Sequence, residues 1–339
     1  MKTEPKHRTR LTVAALGLIV LAPACGPDPA PPAAGFQPVK LEGGIRENED
    51  LSAVAFLDPG LALASDEGDL VQFLAPGSDP GSFVKGPDPV ALTEFDREVD
   101  IEGLERSGDW LYVLGSHSIK RPRLDADDSP RENRRRIAGV DPEPFRQRVF
   151  RIPLHANRKG RAAEIGLRPI LERDPLLAPF TRIPAGENGL NLEGLGADGT
   201  TVYCGLRSPV LRGGYVPVVV FPFDRPADYT LRFVELGGRG IRGMARVDEG
   251  WLLLAAFERG PSEEVEIFFW NGADQLPGPD GRRPRAERLV VWPGEPDGVA
   301  EAITVLAEEE DGYEVLVLFD GIPDGAARRG RVPRPEDGS

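Results

Sequence analysis

Five short segments of the chain are copies of one another, and an internal repeat restricts the fold more than any bulk property does. The clearest copy is Asp100-Ile-Glu-Gly-Leu104. The others are Asp50-Leu-Ser-Ala-Val54, Asn191-Leu-Glu-Gly-Leu195, Gly240-Ile-Arg-Gly-Met244 and Val299-Ala-Glu-Ala-Ile303. After a short turn each is followed by a second apolar run: Leu61 to Ala64, Trp110 to Gly115, Val202 to Gly205, Trp251 to Ala256 and Tyr313 to Phe319. A polar or charged group closes each run, namely Asp66, His117, Arg207, Glu258 and Asp320. Successive copies begin 50, 91, 49 and 59 residues apart, a period that points to the blades of a propeller.

The third unit displays four strand candidates, Leu192 to Gly196, Thr201 to Leu206, Tyr215 to Phe223 and Thr230 to Leu236. They are rich in Val, Leu, Tyr and Phe and are punctuated by Gly, Pro and Asp, the signature of short antiparallel strands. The first and fourth units repeat the order. With 40 Gly and 34 Pro in 339 residues, of which 40% are hydrophobic, the chain is rich in turns yet able to bury a core. The expected fold is therefore all-β, a β-propeller of about five four-stranded blades occupying residues 36–325 as one domain. No amphipathic helix longer than two turns is predicted after residue 36.

The interval of 91 residues is accounted for by an insertion over residues 119–147, in which seven residues between Lys120 and Arg136 are Arg or Lys. A sixth blade around residues 163–183 is the competing account. The fifth unit has two inner strands, Ala302 to Leu306 and Tyr313 to Leu318, before a polar tail over 326–339. A strand lent by the other terminus, Phe36 to Leu41, would complete that sheet and remove its exposed edge.

At the N-terminus, Lys2, Lys6, Arg8 and Arg10 precede the apolar run Leu11 to Leu21, which ends in Ala22-Pro23-Ala24-Cys25. The run is too short to span a bilayer, and this arrangement resembles a lipoprotein signal peptide over residues 1–24. Cleavage before Cys25 would leave that cysteine to be lipidated and the protein exported and anchored to a bacterial cell envelope. Residues 25–35, rich in Pro and Ala, read as a tether. The one other cysteine, Cys204, lies in an apolar run and reads as a small buried hydrophobe.

The formal charge is −14; residues 1–24 carry +3, so the remainder stands at −17. That sign argues against nucleic acid as a partner. Gly-x-Ser-x-Gly elbows, Walker loops, paired-Cys zinc spacings and His-Glu-x-x-His are absent from the sequence, which sets those chemistries aside.

Asp100-Ile-Glu-Gly-Leu104 with Gly115-Ser-His-Ser118, Asn188-Gly-Leu-Asn-Leu-Glu-Gly-Leu195 with Gly205-Leu-Arg-Ser-Pro-Val210, and Leu236-Gly-Gly-Arg-Gly-Ile-Arg242 together resemble the domain-of-unknown-function family numbered 3616, from about residue 45 to 320. The chain is also similar to phytase-like and esterase-like propellers that share Glu-Gly-Leu repeats. The resemblance implies a propeller and leaves the chemistry open. Ala300-Glu-Ala302, where Gly is expected after Glu, and Glu105 after the first triplet depart from the pattern.

Innermost propeller strands crowd around an axis, so each needs a small residue where they converge; Ala53, Gly103, Gly194, Gly243 and Ala302 supply it. Their neighbours Ser52, Glu102, Glu193, Arg242 and Glu301 then face the axis or the next blade. Glu102, Glu193, Glu301, Asp66, Asp320 and Glu258 are the candidate ligands of Ca²⁺ or a similar hard cation. Arg207, Arg242 and Asn191 are candidates for holding a small anionic ligand. A structural alternative has each Glu bound to backbone N–H groups of the next blade and the two arginines paired with two of them. Three functions follow: an envelope propeller binding a small anionic ligand, a metal or an envelope partner; a metal-dependent phosphoester or ester hydrolase with His117 as proton shuttle; and a scaffolding propeller without catalysis. The basic insertion reads as a solvated loop, with docking on anionic lipid or polysaccharide as its alternative.

Overall fold

A computed structural model of the chain describes residues 35–79, 81–94, 97–154, 162–257, 265–278, 286–292, 295 and 297–336. The lipidation candidate Cys25 and the metal candidate Glu258 lie outside the described residues. Five sheets, antiparallel but for one pair at the edge of the first, follow one another around a central axis. The innermost strands, in chain order, are Leu51–Phe56, Ile101–Ser107, Asn191–Asp198, Gly240–Val247 and Val299–Glu309. Each pairs with the strand that follows it: Leu61–Ser65, Trp110–Gly115, Thr201–Ser208, Gly250–Ala256 and Gly312–Asp320.

A propeller sheet is covered on both faces by its neighbours, so its inner strands read as continuous apolar runs rather than as alternation. Val216–Phe221 of the third blade is buried at every position. The core is accordingly split into clusters between blades. Tyr112 and Leu114 of the second blade pack with Leu192, Val202 and Leu206 of the third, which meets Ile241, Met244 and Trp251 of the fourth.

The ring closes through both termini. Gln37–Pro38 pairs antiparallel with Arg328–Pro333, which pairs in turn with Gly312–Asp320, so the fifth sheet has four strands. Lys40–Glu42 then continues onto the first blade, parallel to Ser82–Lys85. The closing role expected of Phe36 to Leu41 is thus divided between two blades.

Three features correct the sequence expectations. First, the stretch read as polar tail supplies the third strand of the fifth blade. Arg328 and Arg329 carry their charge there because Glu295 and Glu314 pair with them at 2.7 and 2.5 Å. Second, the insertion contains a nine-residue helix, Pro130–Ala138. It starts with a capping box between Ser129 and Glu132 and with Pro130 in its first turn. Having no buried residue, it leaves no apolar periodicity to be read. Third, residues 163–183 form no sixth blade. Ala163–Ile165 is the outer strand of the second blade, and the short helix Arg168–Leu171 and a 3₁₀ turn at Phe180–Arg182 follow it.

Candidate functional site

The axial residues are set by one backbone irregularity repeated in every blade. Leu51 pairs with Ser65 and Ala53 with Ala64, so Ser52 has no opposite residue. Glu102, Glu193, Arg242 and Glu301 are skipped in the same way. A β-bulge leaves one residue out of the ladder and re-aims its side chain. Here it turns five side chains toward the axis or the adjoining blade. The small residue that follows each bulge lets the blades approach. A Cβ on Gly103 would lie 2.6 Å from the Leu195 Cβ, and one on Gly194 2.5 Å from Ile241 Cγ2.

Ser52 Oγ donates to the Ile101 carbonyl of the next blade at 2.5 Å. The remaining four bulge residues form a charged constriction, where the space between Glu102, Glu193 and Glu301 is on the order of one water molecule. Glu193, 1% exposed, accepts from Asn191 Nδ2 at 2.8 Å and from Arg207 Nη1 at 2.7 Å on one oxygen. Arg242 Nη1 lies 2.6 Å from Glu301 Oε1 and 3.6 Å from Glu193 Oε2. Asn191, Glu193, Arg207, Arg242 and Glu301 are therefore one network, in which both arginines are committed to glutamates. Hydrogen-bonding capacity is left over. Asn191 Oδ1, Glu193 Oε2 and Arg242 Nε are buried with no hydrogen-bond partner among the described residues.

Glu102 stands apart from this pairing. Burial raises its pKa well above the ordinary carboxylate value, and the charges of Glu193, Asp100, Glu301 and Asp66 raise it further. Burial likewise pushes Glu301 up to about 7, with Arg242 holding it down and Glu193 opposing that.

A second group of acids lies close enough for Glu301 to act on it. One carboxylate oxygen from each of Asp50, Asp66 and Asp320 falls within 4.8 Å of the others. Asp50 precedes the innermost strand of the first blade, Asp66 follows its second strand, and Asp320 ends the second strand of the fifth. Burial raises Asp66 to about 8, and Glu301 and Asp320 add to the rise. Burial also raises Asp320 and Asp50. Asp66 Oδ1 is buried without a hydrogen-bond partner among the described residues. Asp50 was not among the sequence candidates, although it opens the first repeat; the strand register brings it to Asp66, whose N–H faces its carbonyl at 3.4 Å.

The proposed proton shuttle is placed elsewhere. Ile101 pairs with Gly115, and Ser116 donates its N–H to the Asp100 carbonyl, so Ser116 and not His117 is the counterpart of Asp66. His117 takes a left-handed φ of 57° and turns its ring into the protein, where it is fully buried. Its Nδ1 meets the Gly115 carbonyl at 2.7 Å and its Nε2 accepts from the Leu167 N–H at 3.4 Å. Burial lowers its pKa to about 4, so it is a neutral imidazole joining the second blade to the segment after it. In the fourth blade Gly240 pairs with Ala256, so Ala256 holds the position equivalent to Asp66.

Two further groups at this end escaped the sequence reading. Asp100, with a φ of 57°, accepts from Arg146 Nη1 at 2.7 Å and from the Ser116 hydroxyl. Burial raises Asp100 to about 6. Arg146 is 1% exposed, comes from the end of the insertion, and pairs with Glu98 as well. An arginine so far from any repeat carries no signal in the pattern.

Fold and site together define a five-bladed β-propeller with an ionisable axial mouth. The chain belongs to the family described as a protein of unknown function, DUF3616, whose pattern matches residues 50–332. No curated protein matches it in sequence. Among solved structures it is similar to Myxococcus xanthus glutaminyl cyclase, with 12% identity, a TM-score of 0.43, and coverage of 88% of this chain and 94% of that one. It is also similar to an exo-beta-1,3-galactanase from Phanerochaete chrysosporium, with 9% identity, a TM-score of 0.41, and coverage of 83% and 59%. At these values the likeness carries no argument about activity.

Proposed function

We propose that this protein is an envelope-anchored propeller whose axial mouth binds a hard divalent cation and, through it, a small anionic ligand. The observation that carries the reading is the Asp50–Asp66–Asp320 group, with donor oxygens within 4.8 Å of one another. Oxygens bound to Ca²⁺ at about 2.3–2.6 Å sit up to about 5 Å apart, so one ion accommodates all three. None of the three makes an ion pair with a basic side chain among the described residues, and all have raised pKa values, the condition a cation relieves. Three carboxylates fill only part of the six to eight positions of such an ion, which leaves room for an anion. Buried atoms with spare capacity on Asn191, Glu193 and Arg242 adjoin the mouth as further ligand contacts.

Binding is favoured over turnover because His117 is sealed away, neutral and occupied on both ring nitrogens. The envelope location rests on the signal-like residues 1–24 and Cys25. Replacing Cys25 with Ser should release the protein from membranes or halt its processing, and unchanged membrane partitioning would refute the anchor.

The cation is tested by calorimetric titration of the chelator-treated chain with Ca²⁺ and Mg²⁺. Saturable binding that disappears in Asp66→Asn and Asp320→Asn is the expected result. Absence of heat, or heat undiminished in both variants, would end this reading.

A further inference from the structure

The insertion on the second blade holds features that the axial mouth does not use. None of the nine side chains of helix Pro130–Ala138 is buried, so packing does not hold it. Polar contacts do. Besides the capping box, Arg136 Nε pairs with Asp128 at 2.5 Å, Asn133 Nδ2 donates to the Asp125 carbonyl at 2.6 Å, and Arg121 Nη1 donates to the Ile137 and Gly139 carbonyls at 2.6 and 3.0 Å. These contacts engage three of the six acids of the insertion: Asp128 and Asp125 face Arg136, and Glu132 is held by Ser129, while Asp127, Asp141 and Glu143 make no ion pair among the described residues.

Four exposed arginines are left over. Arg131, Arg134 and Arg135 stand at i, i+3 and i+4 and so share one helix face. They and Arg123 make no ion pair among the described residues. Apolar side chains accompany them. Of the five large hydrophobics exposed among the described residues, three belong to this insertion: Leu124 at 58%, Ile137 at 53% and Val140 at 41%.

We infer that the insertion is a docking surface for an anionic phospholipid bilayer. Its free arginines complement the charge of an anionic headgroup surface. Exposed Ile137 shares the helix with these arginines and exposed Leu124 and Val140 flank it, so charge and apolar surface are offered together to the headgroup boundary. The sign is selective, because the chain as a whole carries −14 and is repelled by anionic surfaces except where free arginines gather. Docking here would fix which way a tethered propeller faces.

The test uses the full chain carrying Cys25→Ser, which removes lipidation from the result, and needs no cation. It is mixed with vesicles of phosphatidylglycerol and phosphatidylcholine, or of phosphatidylcholine alone, and sedimented. Binding to the anionic vesicles only, weakened on the order of a hundredfold by joint Arg131→Gln, Arg134→Gln and Arg135→Gln substitution, is expected. Since these side chains are exposed, the variant should keep the parent melting temperature, which separates lost docking from lost folding. Equal binding to both vesicle types, no binding to either, or undiminished binding of the triple variant would overturn the inference.

Discussion

Arg242 donates to Glu301 across 2.6 Å, although the two occupy the same bulge position in consecutive blades. Equivalent places in a closed ring face a common axis, so a cation placed at one of them meets the anion at the next. Arg242 reaches Glu193 on its other side at 3.6 Å, and this one arginine stands between two buried carboxylates.

Removing that arginine should therefore cost more than a surface ion pair. Arg242→Met keeps the volume but leaves Glu193 and Glu301 with reduced compensation, and a loss of about 3–5 kcal/mol is expected. Urea denaturation measures it. A loss under about 1 kcal/mol would place the pair with weak surface contacts.

The raised acids set a pH dependence. Asp66, Glu301 and Asp100 stand at about 8, 7 and 6 when folded, above their ordinary 3.8, 4.5 and 3.8. The folded state thus holds protons that the unfolded state has already released, so stability of the chelated protein should fall as pH rises from about 4 to about 8. A bound cation requires the ionised acids, so Ca²⁺ affinity should climb over the same window and the part of the fall due to Asp66 should vanish when Ca²⁺ saturates the site. Melting temperatures across pH, with chelator and with Ca²⁺, check both signs. A flat profile in chelator would contradict the assignment.

The bulge geometry is tested through its small residues. In Gly103→Ala the new Cβ would lie 2.6 Å from the Leu195 Cβ and 3.2 Å from the Glu193 carbonyl, with backbone on both sides unable to yield freely. Overpacking of this kind should cost about 1–3 kcal/mol. Gly186→Ala, where a Cβ meets nothing within 4 Å, is the control and should stay within about 0.5 kcal/mol.

Ring closure depends on a short contact. Gln37–Pro38 pairs with Arg329 and Arg328, Val39 donates its N–H to the Ala327 carbonyl at 2.8 Å, and the Phe36 ring sits where a Cβ on Gly330 would be. Deletion of residues 36–45 should open the edge of Arg328–Pro333 and abolish cooperative folding. Size-exclusion profiles and melting curves read the outcome, and a monomeric deletion with the parent melting temperature would show that closure lies elsewhere.

The sequence by itself determined the repeat, the five innermost strands, the small residue at each convergence and the lending of a terminal strand. These are local or periodic properties, legible because Asp100-Ile-Glu-Gly-Leu104 and its copies need the same backbone in every blade. Tertiary structure alone decided which charges meet. His117 turns inward at a left-handed residue and is buried away from the acids, and Asp50 joins Asp66 and Asp320. Arg146 reaches Asp100 from an insertion outside any repeat, and Arg242 meets Glu301 from 59 residues away. Strand pattern follows from side-chain type along the chain, whereas charge pairing depends on distances of a few ångströms between segments that only the closed ring brings together.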